Sequence, residues 1–343
     1  MNSCRPIDII ATIWEDPYKR EHNQRMIDAG VDVFRVDCGD SSTTEISQAL
    51  QSTRRHINES GKKVRLLADL PETKIRLGEF PQKRVQVHPE KEFRFLFGPM
   101  SSDPEAYIPF KFEGLGGKLK VGDLFYTGDG ILQFEVTTIH SANEFIARVK
   151  NAGDLIRHTS VTIPRLTDML DHIVPEIDEI LAELPKSKPD MVAFSFVKSR
   201  QMLETLIAKL ERQLTPDWRP LVIAKIESQE GVDNIDEILN ICHGIMVARG
   251  DLALSVPFEK LGLIQKKLVA KARARYKYSI VATDMLGSLL DNYIPARSDI
   301  LDVTNACLDG ASAIMLCPET AHSETPERAI QVARAIIGEV ENS

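Results

Sequence analysis

The chain lacks the marks of several large protein classes. Its five cysteines, Cys4, Cys38, Cys242, Cys307 and Cys317, are odd in number, scattered and free of any CxxC pair. That pattern suggests neither a disulfide framework nor zinc-ligand spacing, and the thiols read as small, reduced, apolar residues. No apolar run approaches the ~20 residues of a transmembrane helix. The opening MNSCRPIDII has neither the basic segment nor the apolar core of a secretion signal. Lys and Arg never form a sustained run and the formal net charge is -8, which argues against a duplex-binding surface and a polybasic membrane patch. There is no internal repeat and no low-complexity segment. The expectation is a cytoplasmic protein whose partners are small molecules, with no nucleic acid and no membrane.

What is present is a long alternation. At 343 residues and 43% hydrophobic, the chain can bury one large core and still accommodate a smaller insertion. Short β-branched runs begin at Ile7, Val33, Val64, Met191, Leu221, Gly244, Ser279 and Ser312, with amphipathic stretches such as TTEISQALQSTRRHI and FEKLGLIQKKLVAKARARY between most of them. Eight repeats of strand then helix predict an α/β fold, a (β/α)8 TIM barrel. One interval breaks the rhythm. From Thr73 to Ile163 the sequence turns to alternating strands with Gly turns (RVQVHPEKEFRFLFGP, KLKVGDLFYTGDGILQFEV), which predicts a small antiparallel β unit inserted after the third strand. The expected organisation is barrel over 1–72, inserted β-barrel lid domain over 73–163, and barrel again over 164–343.

In such a barrel chemistry sits where strands end. The fifth run, LVIAKIE, carries Lys225 and Glu227 two residues apart, so ammonium and carboxylate project from one face of a core strand. They are either a satisfied internal salt bridge or part of a reaction site. The second run ends in Arg35 and Asp37; the third gives Asp69, then Lys74 and Arg76. The sixth gives Arg249, Gly250 and Asp251, and the seventh Thr283 and Asp284. Glu227 and Asp251, from adjacent strands, can offer oxygen ligands to one divalent cation that keeps water or substrate in its remaining positions. Lys225, Arg35 and Arg76 add positive charge suited to a small, multiply anionic substrate. The combination points to phosphoryl transfer or enolate chemistry.

Four stretches, AGVDVFRVDCGD, IAKIESQEGVDNIDEI, GIMVARGDLALSVPFEKLGLIQKKL and VATDMLGSLLDNYIPARSDILDVTNACLDGASAIMLCPETA, resemble the pyruvate kinase family along nearly the whole chain. The resemblance implies a pyruvate kinase-type phosphotransferase that moves a phosphoryl group from phosphoenolpyruvate to ADP, using Mg²⁺ or Mn²⁺. It makes the insertion the family's mobile lid. Lys225, Arg35, Arg76 and Thr283 become catalytic. Glu227 and Asp251 become the metal ligands, and Ala248, Arg249, Gly250, Asp251, Ser195 and Thr283 the substrate contacts. Homodimers or homotetramers through the barrel are implied, and since the likeness ends just after the eighth helix, the family's C-terminal domain is expected to be absent.

The departures carry their own expectations. The family's monovalent-cation ligands, Asn, Ser, Asp and Thr, read Asp37, Gly39, Asp69 and Leu70 here, and Lys74 stands where potassium-dependent members carry Glu. Potassium is therefore expected to be dispensable, with a tethered ammonium in its place. On the nucleotide side, Trp14 and Glu15 replace Gly and Pro, Asp40 replaces His and His322 replaces Lys. Acidic groups beside a polyphosphate repel it unless a cation intervenes. The alternative to ADP is thus a non-nucleotide acceptor, or a lyase acting on oxaloacetate-like acids.

Overall fold

The computed structural model describes residues 6–13, 20–39, 41–128, 130–170 and 173–343. Cys4, Trp14, Glu15 and Asp40 lie outside the described residues. By contact, the chain divides into one unit of Met1–Glu72, Ile173–Leu252 and Glu259–Ser343, and a second of Thr73–His172 with Ala253–Phe258.

In the first unit the eight β-branched runs form β1 (Asp8–Ile13), β2 (Val33–Asp37), β3 (Arg65–Asp69), β4 (Met191–Phe194), β5 (Leu221–Ile226), β6 (Gly244–Ala248), β7 (Tyr278–Ala282) and β8 (Ala313–Leu316). Each pairs in parallel with its chain neighbours, and β8 closes on β1, giving the closed TIM barrel the alternation predicts. The amphipathic stretches become the outer helices, among them Thr43–Ser60, Arg200–Glu211, Leu261–Ala274, Arg297–Asp309 and Pro326–Glu341. Their ends follow local chemistry. Ser42 accepts from the Glu45 N–H while the Glu45 carboxylate accepts from the Ser42 N–H, a capping box, and Gly61 closes the same helix with φ +66°.

Period two inside the barrel sorts residues by height. Ile10, Val33, Leu67, Ala193, Ile223, Met246, Ile280 and Ala313 form a buried apolar plug. Stepping two residues toward the C-terminal ends of β1 to β5 reaches Thr12, Arg35, Asp69, Ser195 and Lys225, a buried polar layer above the plug.

The second unit is antiparallel apart from one strand pair. A seven-stranded sheet runs Ile75–Arg76, Ser160–Thr162, Leu124–Thr127, Leu132–Ser141, Glu144–Val149, Glu92–Phe97, Ile108–Phe110, and Arg84–Val87 pairs separately with Gly153–Ile156. An antiparallel bridge between Leu77 and Phe110 joins the two edges, so the sheet curls into a small barrel. Its core is aromatic. Phe125 stacks on Phe134 at 4.9 Å, Phe95 stacks on Phe145 at 5.0 Å, and the pairs meet edge to face, Phe95 against Phe125 at 5.4 Å. Phe134 is completely buried. Phe134→Ala is expected to cost this unit ~3–5 kcal/mol, read by urea denaturation, and a loss below ~1 kcal/mol contradicts this account of the core.

Candidate active site

Lys225 and Glu227 answer the question their spacing raises. Lys225 is 7% exposed and Glu227 1%. The ammonium donates to Ser195 Oγ at 2.8 Å and lies 3.1 Å from Asp69 Oδ1 and 3.3 Å from Glu227 Oε1. The Ser195 hydroxyl in turn donates to the Leu70 carbonyl at 2.8 Å. Glu227 Oε2 accepts the Phe196 N–H at 2.7 Å, and Phe196 sits just past β4 with φ +49°. Burial disfavours the Lys225 charge, but Asp69, Glu227 and Glu72 together outweigh it and hold its pKa well above the ordinary lysine value. Lys225 is therefore a fixed cation at neutral pH and no general base.

Arg35 is held in the same way. Its Nε donates to Asp69 Oδ2 at 2.8 Å, Nη2 to Asp37 Oδ2 at 3.0 Å and Nη1 to Thr12 Oγ1 at 3.2 Å. Burial opposes the guanidinium charge, and Asp37 and Asp69 more than compensate, raising its pKa well above normal. Asp69, 1% exposed, thus bridges both cations: Oδ2 serves Arg35, while Oδ1 accepts no hydrogen bond and faces Lys225. Asp37 commits Oδ2 to Arg35 and Oδ1 to the Gly39 N–H at 3.1 Å. Desolvation would raise the Asp37 pKa, yet Arg35 and then Lys225 outweigh it and hold the carboxylate below its usual range. Its side chain is 54% open, so solvent screens this effect.

Across the mouth, Asp251 lies in the first turn of helix Arg249–Ser255, which starts directly at the end of β6. The backbone N–H groups of Arg249 and Gly250 therefore belong to a helix start, where such donors have no intrahelical acceptor. The Arg249 side chain turns elsewhere. It donates to the Asp302 carboxylate through Nη1 and Nη2, each at 2.7 Å, and to the Ala282 carbonyl at 2.9 Å. Thr283 follows β7 with φ +76° and Asp284 with φ +53°, a conformation rare for side chains other than glycine. Cys317 ends β8 beside Arg35, its thiol pushed up to about 11 by burial. Arg76 and Lys74 belong to the other unit, where Arg76 Nη1 donates to the His158 carbonyl at 3.3 Å.

Of the expected residues the barrel brings together Lys225, Glu227, Asp69, Arg35, Asp37 and Ser195 in direct contact. Three others escaped the sequence reading. Thr12 is an inner-face residue of β1, two past Ile10, and that parity marks it. Glu72 follows the third strand by three residues, among many loop carboxylates. Glu319 lies inside the quoted PETA motif, but nothing in the sequence says that it is 1% exposed. A group of three or more His, Cys, Asp or Glu able to cage a metal is absent among the described residues. Glu227, just past β5, and Asp251, in the first turn of the helix after β6, are nonetheless hard oxygen donors of the kind that suits an ion such as Mg²⁺, which takes few protein ligands.

Comparison with known proteins gives the family. The family model "Pyruvate kinase, barrel domain" matches residues 4–330. The pyruvate kinase of Thermococcus litoralis is 33% identical over 328 residues, covering 96% of this chain and 68% of its own length. That of Bacillus licheniformis is 31% identical over 340 residues, with 99% and 58% covered. The Staphylococcus aureus (strain MRSA252) enzyme is 30% identical over 333 residues, with 97% and 56% covered. The chain thus spans between 56% and 68% of the length of these curated relatives. With the match running through both the barrel and its insertion, the chain belongs to the pyruvate kinase family.

Proposed function

We propose that the chain transfers the phosphoryl group of phosphoenolpyruvate to ADP, with one proton consumed and pyruvate and ATP formed. The observation that carries this reading is the pair of buried cations, Arg35 and Lys225, which share the Asp69 carboxylate at the C-terminal mouth of the barrel, with Glu227 beside Lys225. Phosphoryl transfer needs positioning and charge stabilisation more than covalent chemistry. Lys225 and Arg35 meet the phosphoryl oxygens as the bond to the enol oxygen breaks and negative charge spreads over them. Glu227 and Asp251 would hold a divalent ion, Mg²⁺ or Mn²⁺, which supplies further neutralisation of the substrate's oxygens. The N–H groups at the start of helix Arg249–Ser255, which have no acceptor within the helix, suit the substrate carboxylate. Once the P–O bond has broken, the enolate collapses to the ketone and its methylene carbon takes a proton from water ordered at the Thr283 hydroxyl. Lys225 stays charged throughout, because its neighbours hold its proton.

A second reading keeps the enolate chemistry and changes the acceptor: a lyase of oxaloacetate-like acids, or a phosphotransferase to a non-nucleotide. The acidic residues Glu15 and Asp40 and the loss of Lys at His322 favour it. A lactate-dehydrogenase-coupled assay with phosphoenolpyruvate and ADP separates the two. The first reading predicts turnover with Mg²⁺, and a fall of about 10²–10³-fold in kcat for Lys225→Met with KM little changed. Tight phosphoenolpyruvate binding without turnover, together with CO₂ release from oxaloacetate that Lys225→Met abolishes, favours the second.

Potassium should add little. Gly39 and Leu70 have no side-chain oxygen, so two of the four side-chain ligands that the family resemblance implies are missing. Exchanging potassium for tetramethylammonium is expected to leave the rate nearly unchanged, and a strong rise on restoring potassium contradicts the prediction.

The paired charges also set a pH window. Lys225 has a folded pKa above its unfolded ~10.4, so its contribution to stability is full below that value and fades as pH rises through the folded one. Asp37 has a folded pKa below its unfolded ~3.9, so its contribution is full above that value and fades as pH falls through the folded one. Neither group should contribute a slope to a denaturation profile taken between ~5 and ~9. In Asp37→Asn the loss of stability relative to the parent should therefore be constant across that range and shrink only in stronger acid. A difference that varies with pH between those limits contradicts the assignment.

A further inference from the structure

The turn that carries Thr283 is sterically costly and firmly anchored. Two consecutive residues with side chains, Thr283 and Asp284, adopt left-handed backbone at φ +76° and +53°, and the first is β-branched. Such conformations persist only where the surroundings over-determine them. Here there are two anchors, one on each side of the turn.

The first is Arg249. All five of its N–H donors have protein acceptors. Nε serves the Ala282 carbonyl at 2.9 Å. Nη1 serves Asp302 Oδ1 at 2.7 Å and Gln265 Oε1 at 3.2 Å, and Nη2 serves Asp302 Oδ2 at 2.7 Å and the Thr283 carbonyl. A guanidinium employed to this extent has no donor left for a substrate phosphate, and its bidentate pair with Asp302 fixes the direction of the fork. The second anchor is Glu319, 1% exposed. One oxygen accepts the Leu286 N–H at 3.0 Å and the other the Cys317 N–H at 2.7 Å, which ties the far end of the turn to the end of β8. Between the anchors the Thr283 side chain rests on Gly250: a Cβ at that glycine would stand 3.3 Å from Thr283 Cγ2 and 3.6 Å from Oγ1.

We propose that Asp302 and Glu319 are positioning residues for Thr283, Asp302 by aiming Arg249 at the Ala282 and Thr283 carbonyls and Glu319 by holding Leu286. Neither touches the reacting atoms in this scheme. The inference rests on the role given to Thr283 in the proposed reaction, where a displacement of about 1 Å can cost on the order of 10²-fold in rate.

The test combines two measurements on Asp302→Ala, Asp302→Glu, Glu319→Ala and Glu319→Gln. Amide hydrogen exchange across 283–286, recorded without substrate, should speed up in both alanine variants. Steady-state kinetics should show kcat lowered by about 10–100-fold with KM for phosphoenolpyruvate little moved, and part of the rate regained in Asp302→Glu and Glu319→Gln. Should an alanine variant fail to fold, Glu319→Gln and Asp302→Asn, which keep volume and one acceptor oxygen, carry the same comparison with smaller expected effects. Unchanged exchange in this segment, or an unchanged kcat in folded variants of both residues, overturns the proposal. Exchange needs no turnover. A wild-type protein inert toward phosphoenolpyruvate would therefore sink the proposed function and leave exchange alone to decide whether the anchors hold the turn.

Discussion

The arrangement at the barrel mouth depends on one interaction: the buried Asp69 carboxylate shared between the Lys225 ammonium and the Arg35 guanidinium. Taking an isolated charge out of water costs several kcal/mol, and pairing offsets that cost only when the geometry is good and the remaining donors are satisfied. Here the pairing is spread over several groups. Asp69 faces a cation through each oxygen, Ser195 accepts a hydrogen bond from Lys225, Glu227 faces the same ammonium, and Thr12 and Asp37 accept hydrogen bonds from Arg35. The two cations are thus fixed in place before any ligand arrives. A preorganised charge of this kind needs no rearrangement when substrate charge develops.

The barrel makes this affordable through its period-two geometry. Every inner-face residue one layer lower is apolar, so the polar layer stands on a dry floor and meets solvent only on the mouth side. The same geometry explains why the polar residues come in pairs along each strand. Arg35 and Asp37 are two residues apart, as are Lys225 and Glu227; the first pair reaches from the buried layer to the rim, while the second stays buried. Glycine works at the opposite end of the barrel. At Gly244, which opens β6, a Cβ would stand 2.5 Å from the Tyr278 carbonyl, so closure of β6 on β7 requires the bare backbone.

The fold was legible because it is written in repeats. Eight β-branched runs, each followed by a chain long enough to cross back over the sheet, admit few architectures, and an interval of alternating strands with Gly turns is a clear break in that pattern. Lys225 and Glu227 were legible for a related reason: charges inside an apolar run are costly, so their presence needs a purpose. What parity could not supply was partnership across strands. That Asp69 serves both cations depends on the stagger of β2, β3 and β5, which only the closed barrel sets. Glu319 and Asp302 were silent for another reason. The donors they accept from are backbone N–H groups and a distant arginine, and the left-handed turn they hold leaves no trace in residue type, since Thr283 and Asp284 are ordinary residues in an unusual conformation.

The charge state of Lys225 is the most direct measure of the account. With ¹³Cε-labelled lysine, the Lys225 resonance can be followed by NMR as pH is raised, with Lys225→Met to assign it. A resonance that keeps its ammonium shift after the exposed lysines have titrated near ~10.4 is the predicted result. Deprotonation at or below that pH would mean that burial outweighs Asp69 and Glu227, and the fixed cation on which the proposed chemistry rests would not exist.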